Sequence, residues 1–253
     1  MVDIHSHILP GLDDGARTVE ESLAMVEIAA KSGTTDIVAT PHSNGEFPFE
    51  PERLSEAFRD LSEKARGVIR LHLGCDFHLH YDNLRDALDH PTKYTINGHQ
   101  YLMVELPDLI ALSAARQALQ QLIHSRIVPI ITHPERNLSL QTKLGELRAW
   151  VADGCLLQVT AQSITGDFGS EAERAALWLM NAKLVHFVAS DAHDPVHRPP
   201  DLAPGFRLIS KRYGAARAHA LFISNPAATL VGERIVPLTG QQNRFWRFLQ
   251  GKG

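Results

Sequence analysis

The chain has 253 residues, 44% hydrophobic and 21% charged, and a formal net charge of −4. That is enough chain to bury a full core, and the acidic balance counts against a nucleic-acid binder, whose footprint is usually basic. No apolar run approaches the ~20 residues of a membrane span and no charged leader with an apolar run behind it opens the chain. Cys75 and Cys155 sit in apolar runs, as buried thiols in a reducing compartment would, so a cytoplasmic protein is expected.

Short apolar or β-branched runs alternate with helical patterns. The first, VDIHSH (2–7), places His5 and His7 two apart, so both imidazoles face one side of a strand, about 7 Å apart along the backbone. Asp13 and Asp14 follow in a Gly-containing turn. Residues 18–32 begin with T-x-x-E (Thr18, Glu21) and stop at Gly33, which predicts a capped helix. DIVATPH (36–42) ends in His42, and a helical pattern over 52–66 stops at Gly67. IRLHLGCDF (69–77) ends near Asp76, with a shorter helix over 80–89. YLMVEL (101–106) carries Glu105 and precedes a helix over 113–125. IVPIITH (127–133) ends in His133, with Glu135 and Arg136 beyond, and a helix over 140–153 follows. CLLQVT (155–160) leads to a helix over 170–182. LVHFVASD (184–191) ends in Asp191, with His193 beyond, and runs into a Pro-rich loop over 193–204.

Seven strands alternating with helices, without a break in composition, predict parallel strands joined by crossover helices. A closed barrel and an open doubly wound sheet both fit. No Gly-rich dinucleotide loop follows any strand, which weakens the second. Six of the seven strands finish with a His, Asp or Glu, at the edge where α/β barrels carry their active sites.

Taken singly, these residues have bland readings. A lone His at a strand end is more often a structural hydrogen-bonder, and Asp14 alone could be a helix N-cap. Together, His5, His7, Asp14, His42, Asp76, Glu105, His133, Asp191 and His193 form a set of imidazoles and carboxylates that suits Zn, Mn or Fe. Four would serve one ion; nine point to two or three, an arrangement typical of enzymes that cut phosphate esters. A cysteine phosphatase needs C-x5-R, but six residues beyond Cys75 and Cys155 stand Tyr81 and Ala161. No D-x-D ends a strand to supply an aspartyl nucleophile.

HSHILPGLDDG, TPH, THPER and ASDAH, in that order, resemble the polymerase-and-histidinol-phosphatase (PHP) superfamily. ASDAHDPVHRPP and LFISNPA narrow the resemblance to the bacterial capsular-polysaccharide protein-tyrosine phosphatases, from Met1 to about Val231. The resemblance implies an α/β fold, a distorted (β/α)7 TIM-like barrel, assigned to residues 1–240. It implies three divalent ions per chain, with Mn expected ahead of Fe, Co or Zn. His5, His7, Asp76, Glu105, His133 and Asp191 would hold a close pair, and Asp14, His42 and His193 a third ion. Asp76 departs from the family's usual Glu and is one methylene shorter. Arg136 (HPER) and Arg198 (HRPP) are nominated as phosphate-binding catalytic residues.

The implied reaction is hydrolysis of phosphotyrosine on a protein, a membrane-associated bacterial tyrosine kinase that regulates capsule or exopolysaccharide synthesis. Rival readings are a histidinol-phosphate or other small-molecule phosphoesterase, a 3′–5′ exonuclease, and a non-catalytic metal-binding regulator. The last would show lost ligands, and only Asp76 departs. Residues 241–253 form a separate basic-aromatic tail (Arg244, Phe245, Trp246, Arg247, Phe248, Leu249). It could dock on the barrel, on a second subunit of a homo-oligomer, or on an anionic membrane surface.

Overall fold

The computed structural model describes residues 1–235. Nine strands form among them: β1 (Val2–Ser6), β2 (Asp36–Ala39), β3 (His42–Ser43), β4 (Arg70–Leu73), β5 (Asp76–His78), β6 (Tyr101–Glu105), β7 (Val128–Ile131), β8 (Leu156–Thr160) and β9 (Phe187–Ala189). Their pairings are parallel, in the orders β1-β2-β4 and β3-β5-β6-β7-β8-β9. β1, β2, β7, β8 and β9 are buried throughout, as parallel strands covered on both faces should be.

Nine strands make seven staves. DIVATPH breaks into β2 and β3 at Thr40-Pro41, where Pro41 has no N–H for a ladder. IRLHLGCDF breaks into β4 and β5 at Gly74-Cys75. A Cβ on Gly74 would stand 3.1 Å from Val38 Cγ1, so the chains approach there as closely as glycine allows. Both staves continue across the break: Thr40 N–H donates to the Ser6 carbonyl (2.8 Å), Gly74 N–H to Ala39 (2.9 Å) and Asp76 N–H to Pro41 (3.1 Å). A parallel bridge between Ser6 and Ala192 joins the last stave to the first. Beside it, Asp191 N–H donates to His5 (2.9 Å) and His7 N–H to Ala192 (2.8 Å). The sheet thus closes as a distorted (β/α) barrel.

The helices are α1 (Val19–Lys31), α2 (Pro51–Lys64), α3 (Tyr81–Asp89), α4 (Leu112–His124), α5 (Leu138–Gln141), α6 (Glu146–Asp153), α7 (Ala161–Thr165), α8 (Gly169–Asn181), α9 (Ala203–Tyr213), α10 (Ala215–His219) and α11 (Asn225–Leu230). Thr18 caps α1 as expected, its Oγ1 accepting the Glu21 N–H at 3.3 Å. The Glu21 side chain does not close a capping box; it binds the Arg17 N–H (2.8 Å) and guanidinium instead. The single helix predicted over 140–153 is two, α5 and α6. α7 and the helices after residue 202 add to those expected from the sequence.

The main core runs along β1 and β5–β9 and includes Phe77, Tyr101, Trp150, Phe187 and Phe222. A second cluster packs α1 and α2 on β2 through Met25, Ile37, Leu54 and Leu61. At ~1.5–3 kcal/mol per large apolar side chain, this burial offsets the cost of the acids and imidazoles enclosed above it. Cys75 and Cys155 are buried and unpaired. No helix among the described residues is long and apolar enough to cross a membrane. The expected domain limit at 240 and the tail 241–253 lie outside the described residues.

Candidate metal centre

The polar residues meet at the C-terminal mouth of the barrel. His5 is the penultimate residue of β1, His7 lies just past its end, and Glu105 ends β6. His133 and Asp191 each follow a strand by two residues, both with left-handed backbones (φ 31° and 53°). Such conformations are rare outside glycine and tend to mark functional positions. His42 and Asp76 are not the last residues of long strands: they open β3 and β5 past the two breaks and face each other in register.

All nine nominated residues fall into four groups whose donor atoms lie within 4.8 Å of one another. These are His7/Asp14/His42/His193, His5/His7/Asp76, His5/His133/Asp191 and His42/Asp76/Glu105. Two donors each about 2.1 Å from one ion stand about 3.0–3.5 Å apart. His5 Nε2 lies 3.5 Å from Asp76 and 3.4 Å from Asp191, and His42 Nε2 lies 3.3 Å from Asp14. His193 Nε2 lies 3.4 Å from Asp14, and His42 Nδ1 3.3 Å from Asp76. Asp76 Oδ2 and His42 Nδ1 are buried without a hydrogen bond. Buried polar atoms are rarely left so, and two donors aimed at a shared cation would be. The donor set fits divalent metal. The shorter Asp76 side chain still reaches two of the groups.

Three imidazoles are oriented from behind. His7 Nδ1 meets Asp13 Oδ2 at 2.7 Å, His5 Nδ1 meets Gln158 Oε1 at 3.1 Å, and His193 Nδ1 meets the Asp191 carbonyl at 3.0 Å. An acceptor on Nδ1–H leaves the Nε2 lone pair for the centre, a recurrent arrangement around metals. Asp13 and Gln158, which hold two of the imidazoles by these contacts, are not among the residues nominated from the sequence. Their signals were present: Asp13 is half of the Asp-Asp pair, and Gln158 is a polar side chain in the apolar run CLLQVT. His78 Nδ1 lies 3.2 Å from Glu105 Oε2.

Arg136 and Arg198 reach the same mouth. Arg136 sits in a turn closed by its N–H on the His133 carbonyl (3.0 Å). Arg198 sits in a loop gathered by Asp194, whose carboxylate accepts the Val196 (2.7 Å) and His197 (2.6 Å) N–H groups. Both guanidiniums donate Nη2 to Asp191 Oδ2, Arg198 at 2.7 Å. A cleft of about 290 Å³ lies over this cluster, lined by both arginines, His42, Glu105, His133, Asp191 and His193.

Residues 1–231 match the family model described as capsular polysaccharide synthesis, CpsB/CapC. The chain belongs to the CpsB/CapC family. It is 32% identical over 225 residues to the tyrosine-protein phosphatase YwqE of Bacillus subtilis (strain 168), covering 87% of this chain and 88% of YwqE. It is 30% identical over 244 residues to the tyrosine-protein phosphatase CpsB of Streptococcus pneumoniae, covering 93% of this chain and 100% of CpsB. A solved structure from the work on YwqE and CpsB, described there as unique metal-dependent tyrosine phosphatases, superposes with a TM-score of 0.87. It is 30% identical, with 93% of this chain and 96% of that chain covered.

In this CpsB/CapC chain the acids and imidazoles of the mouth shift one another's ionisation. Burial opposes ionisation of Asp76 and Asp191, yet His5 and His42 hold Asp76 well below the usual carboxylate range, and Arg136, His5 and Arg198 do so for Asp191. Asp14 is lowered by its hydrogen bonds to His193 and His42. Burial likewise disfavours charge on His7 and His42, but Asp13 holds His7 up at about 9, and Asp14 and Asp76 hold His42 at about 11. His133 goes the other way, lowered by burial and the Arg136 cation. Asp14, Asp76 and Asp191 therefore stay ionised together.

Proposed function

We infer that this chain is a metal-dependent phosphatase that hydrolyses phosphotyrosine on protein substrates. The observation that carries this is the meeting of nine imidazole and carboxylate side chains and two arginines around one open cleft, in a chain of the CpsB/CapC family. His5, His7, Asp76, Glu105, His133 and Asp191 would hold a close pair of ions and Asp14, His42 and His193 a third, with Mn ahead of Fe, Co or Zn. Divalent ions in such a site supply positive charge and lower the pKa of water from 15.7 to about 7.

Arg136 and Arg198 bind and orient the phosphoryl oxygens, a task suited to the forked guanidinium. Asp13 and Gln158 keep Nε2 of His7 and His5 free by accepting hydrogen bonds from their Nδ1–H groups. The leaving phenol has a pKa of about 10, so its departure leans less on a general acid than an alkyl ester's would. The cysteines take no part: burial raises both thiols and keeps them unreactive.

The substrate class is a tyrosine kinase of capsule or exopolysaccharide synthesis, membrane-associated, with the phosphatase acting from the cytoplasm. Residues 1–240 are assigned to the catalytic domain and 241–253, on sequence alone, to a separate segment. Turnover of a phosphotyrosyl peptide, histidinol phosphate and single-stranded DNA, compared with Mn²⁺, tests the assignment. Preference for the peptide supports it; preference for either other substrate overturns it.

A further inference from the structure

Phe168 caps the start of α8, remote in sequence from the strand-end motifs. Its ring lies under both arginines: Arg136 Cζ stands 4.6 Å from the ring centroid and Arg198 Cζ 5.6 Å. Both distances fall inside the ~6 Å reach of a cation–π contact. Phe168 is half-buried and does not line the cleft, so the ring sits behind the guanidiniums.

The turn that presents the ring is specialised. Gly166 (φ +92°) and Gly169 (φ +87°) flank it with left-handed backbones, which glycine adopts without a Cβ penalty. Gly169 N–H donates to the Gly166 carbonyl (3.0 Å) and Asp167 N–H to Gln162 (2.9 Å). This closed turn fixes Phe168 beneath two loops that come from elsewhere in the chain.

Each guanidinium therefore donates to Asp191 Oδ2 and lies over the Phe168 ring, and Arg198 Nη2 also donates to the Asp191 carbonyl (3.0 Å). Nε of both arginines is buried without a hydrogen bond. Asp191 also faces His5 and His7 at 3.4 Å, so it is shared with the candidate metal centre. The aromatic ring is the support that belongs to the arginines alone.

We propose that Phe168 is a positioning residue that stacks under Arg136 and Arg198 and presets them for a tetrahedral oxyanion. This rests on the reading of those arginines as phosphate ligands. A long side chain already ordered by a ring loses less freedom on gripping phosphate than a free one.

The test is calorimetric titration of inorganic phosphate into the full-length, metal-loaded protein, alongside KM for a phosphotyrosyl peptide. Phe168→Leu removes two cation–π contacts and should weaken phosphate binding about tenfold and raise KM alike, with metal content unchanged. Phe168→Met keeps the bulk without the π face and should behave as Leu does; it decides the matter if the leucine variant does not fold. Phe168→Tyr should stay within about twofold of wild type. In an Arg136→Ala background the same Leu change should cost about threefold or less, because its nearer partner is gone.

Unchanged phosphate affinity in both the Leu and Met variants overturns the proposal. So does a full tenfold loss in the Arg136→Ala background, which would mark a general packing role, and so does a wild-type protein that binds no phosphate. If wild type binds phosphate but does not cleave the peptide, the substrate assignment fails while the phosphate titration still decides the role of Phe168.

Discussion

Asp13 offers the sharpest mutational probe, because it touches the candidate centre without belonging to the nine donors. Its carboxylate accepts from His7 Nδ1 at 2.7 Å, from the Gly15 N–H at 3.0 Å and from the His42 N–H at 3.1 Å. Asp13→Asn keeps the shape and removes the charge. His7 stands at about 9 against an ordinary 6.5, so its partners outweigh the burial penalty on the imidazolium by about 3 kcal/mol at 1.36 kcal/mol per unit. Asp191 shares in that, which leaves roughly 2 kcal/mol to Asp13.

The sign follows from linkage. The raised His7 pKa contributes stability that is complete below 6.5 and lost as pH rises through about 9, provided Asp13 is ionised. Asp13 itself is lowered, its burial outweighed by His7, so its contribution disappears as pH falls through the carboxylate range. In metal-free protein the Asn variant should therefore be destabilised most near pH 5–6, by ~4–8 °C in Tm for a chain of this size. The difference should shrink above pH 9. In metal-loaded protein, loss of the group that orients His7 and raises its basicity should weaken metal affinity about 10–100-fold. Chelator competition and calorimetry read both effects. Affinity within twofold of wild type, together with an unchanged Tm–pH profile, would refute the reasoning.

Two further outcomes are expected. A Cβ on Gly15 would collide with the His7 carbonyl oxygen and Cβ, so Gly15→Ala must displace the loop carrying Asp13 and Asp14. Metal analysis should find fewer ions bound, and full occupancy would show that the close approach is dispensable. His186 is pushed down to about 3 by burial, with Arg217 adding to it, and Nδ1 accepts the Leu157 N–H at 3.2 Å. The unfolded chain takes up that proton below about 6.5 and the folded one does not. This residue should thus cost about 2 kcal/mol of stability on going from pH 6.5 to 5. His186→Gln should lose less Tm between pH 7.5 and 5 than wild type; equal losses would exclude His186 as the source.

The strand ends were legible because parallel β/α staves place their last residues on one rim, so the sequence position of His5, Glu105 or His133 already implies a spatial one. The two breaks were not. Continuous apolar character across DIVATPH and IRLHLGCDF reads as unbroken strand, and nothing local records that Gly74 lies against Val38. His42 and Asp76 were placed at the right rim by a slightly wrong route, as strand ends when they open new segments. Supporting residues were harder still. Gln158 and Phe168 touch partners distant in sequence, and neither matches a metal-ligand pattern. The helices after residue 202 begin with Pro204 in the first turn of α9, and a proline-rich approach reads as loop although proline is well tolerated there.

Metal analysis of protein purified without chelator, paired with phosphotyrosyl-peptide turnover by wild type and His133→Ala, tests the central claim most directly. About three divalent ions per wild-type chain are expected, with turnover abolished in the variant. One ion or none, and no turnover with Mn, Fe, Co or Zn supplied, would contradict it.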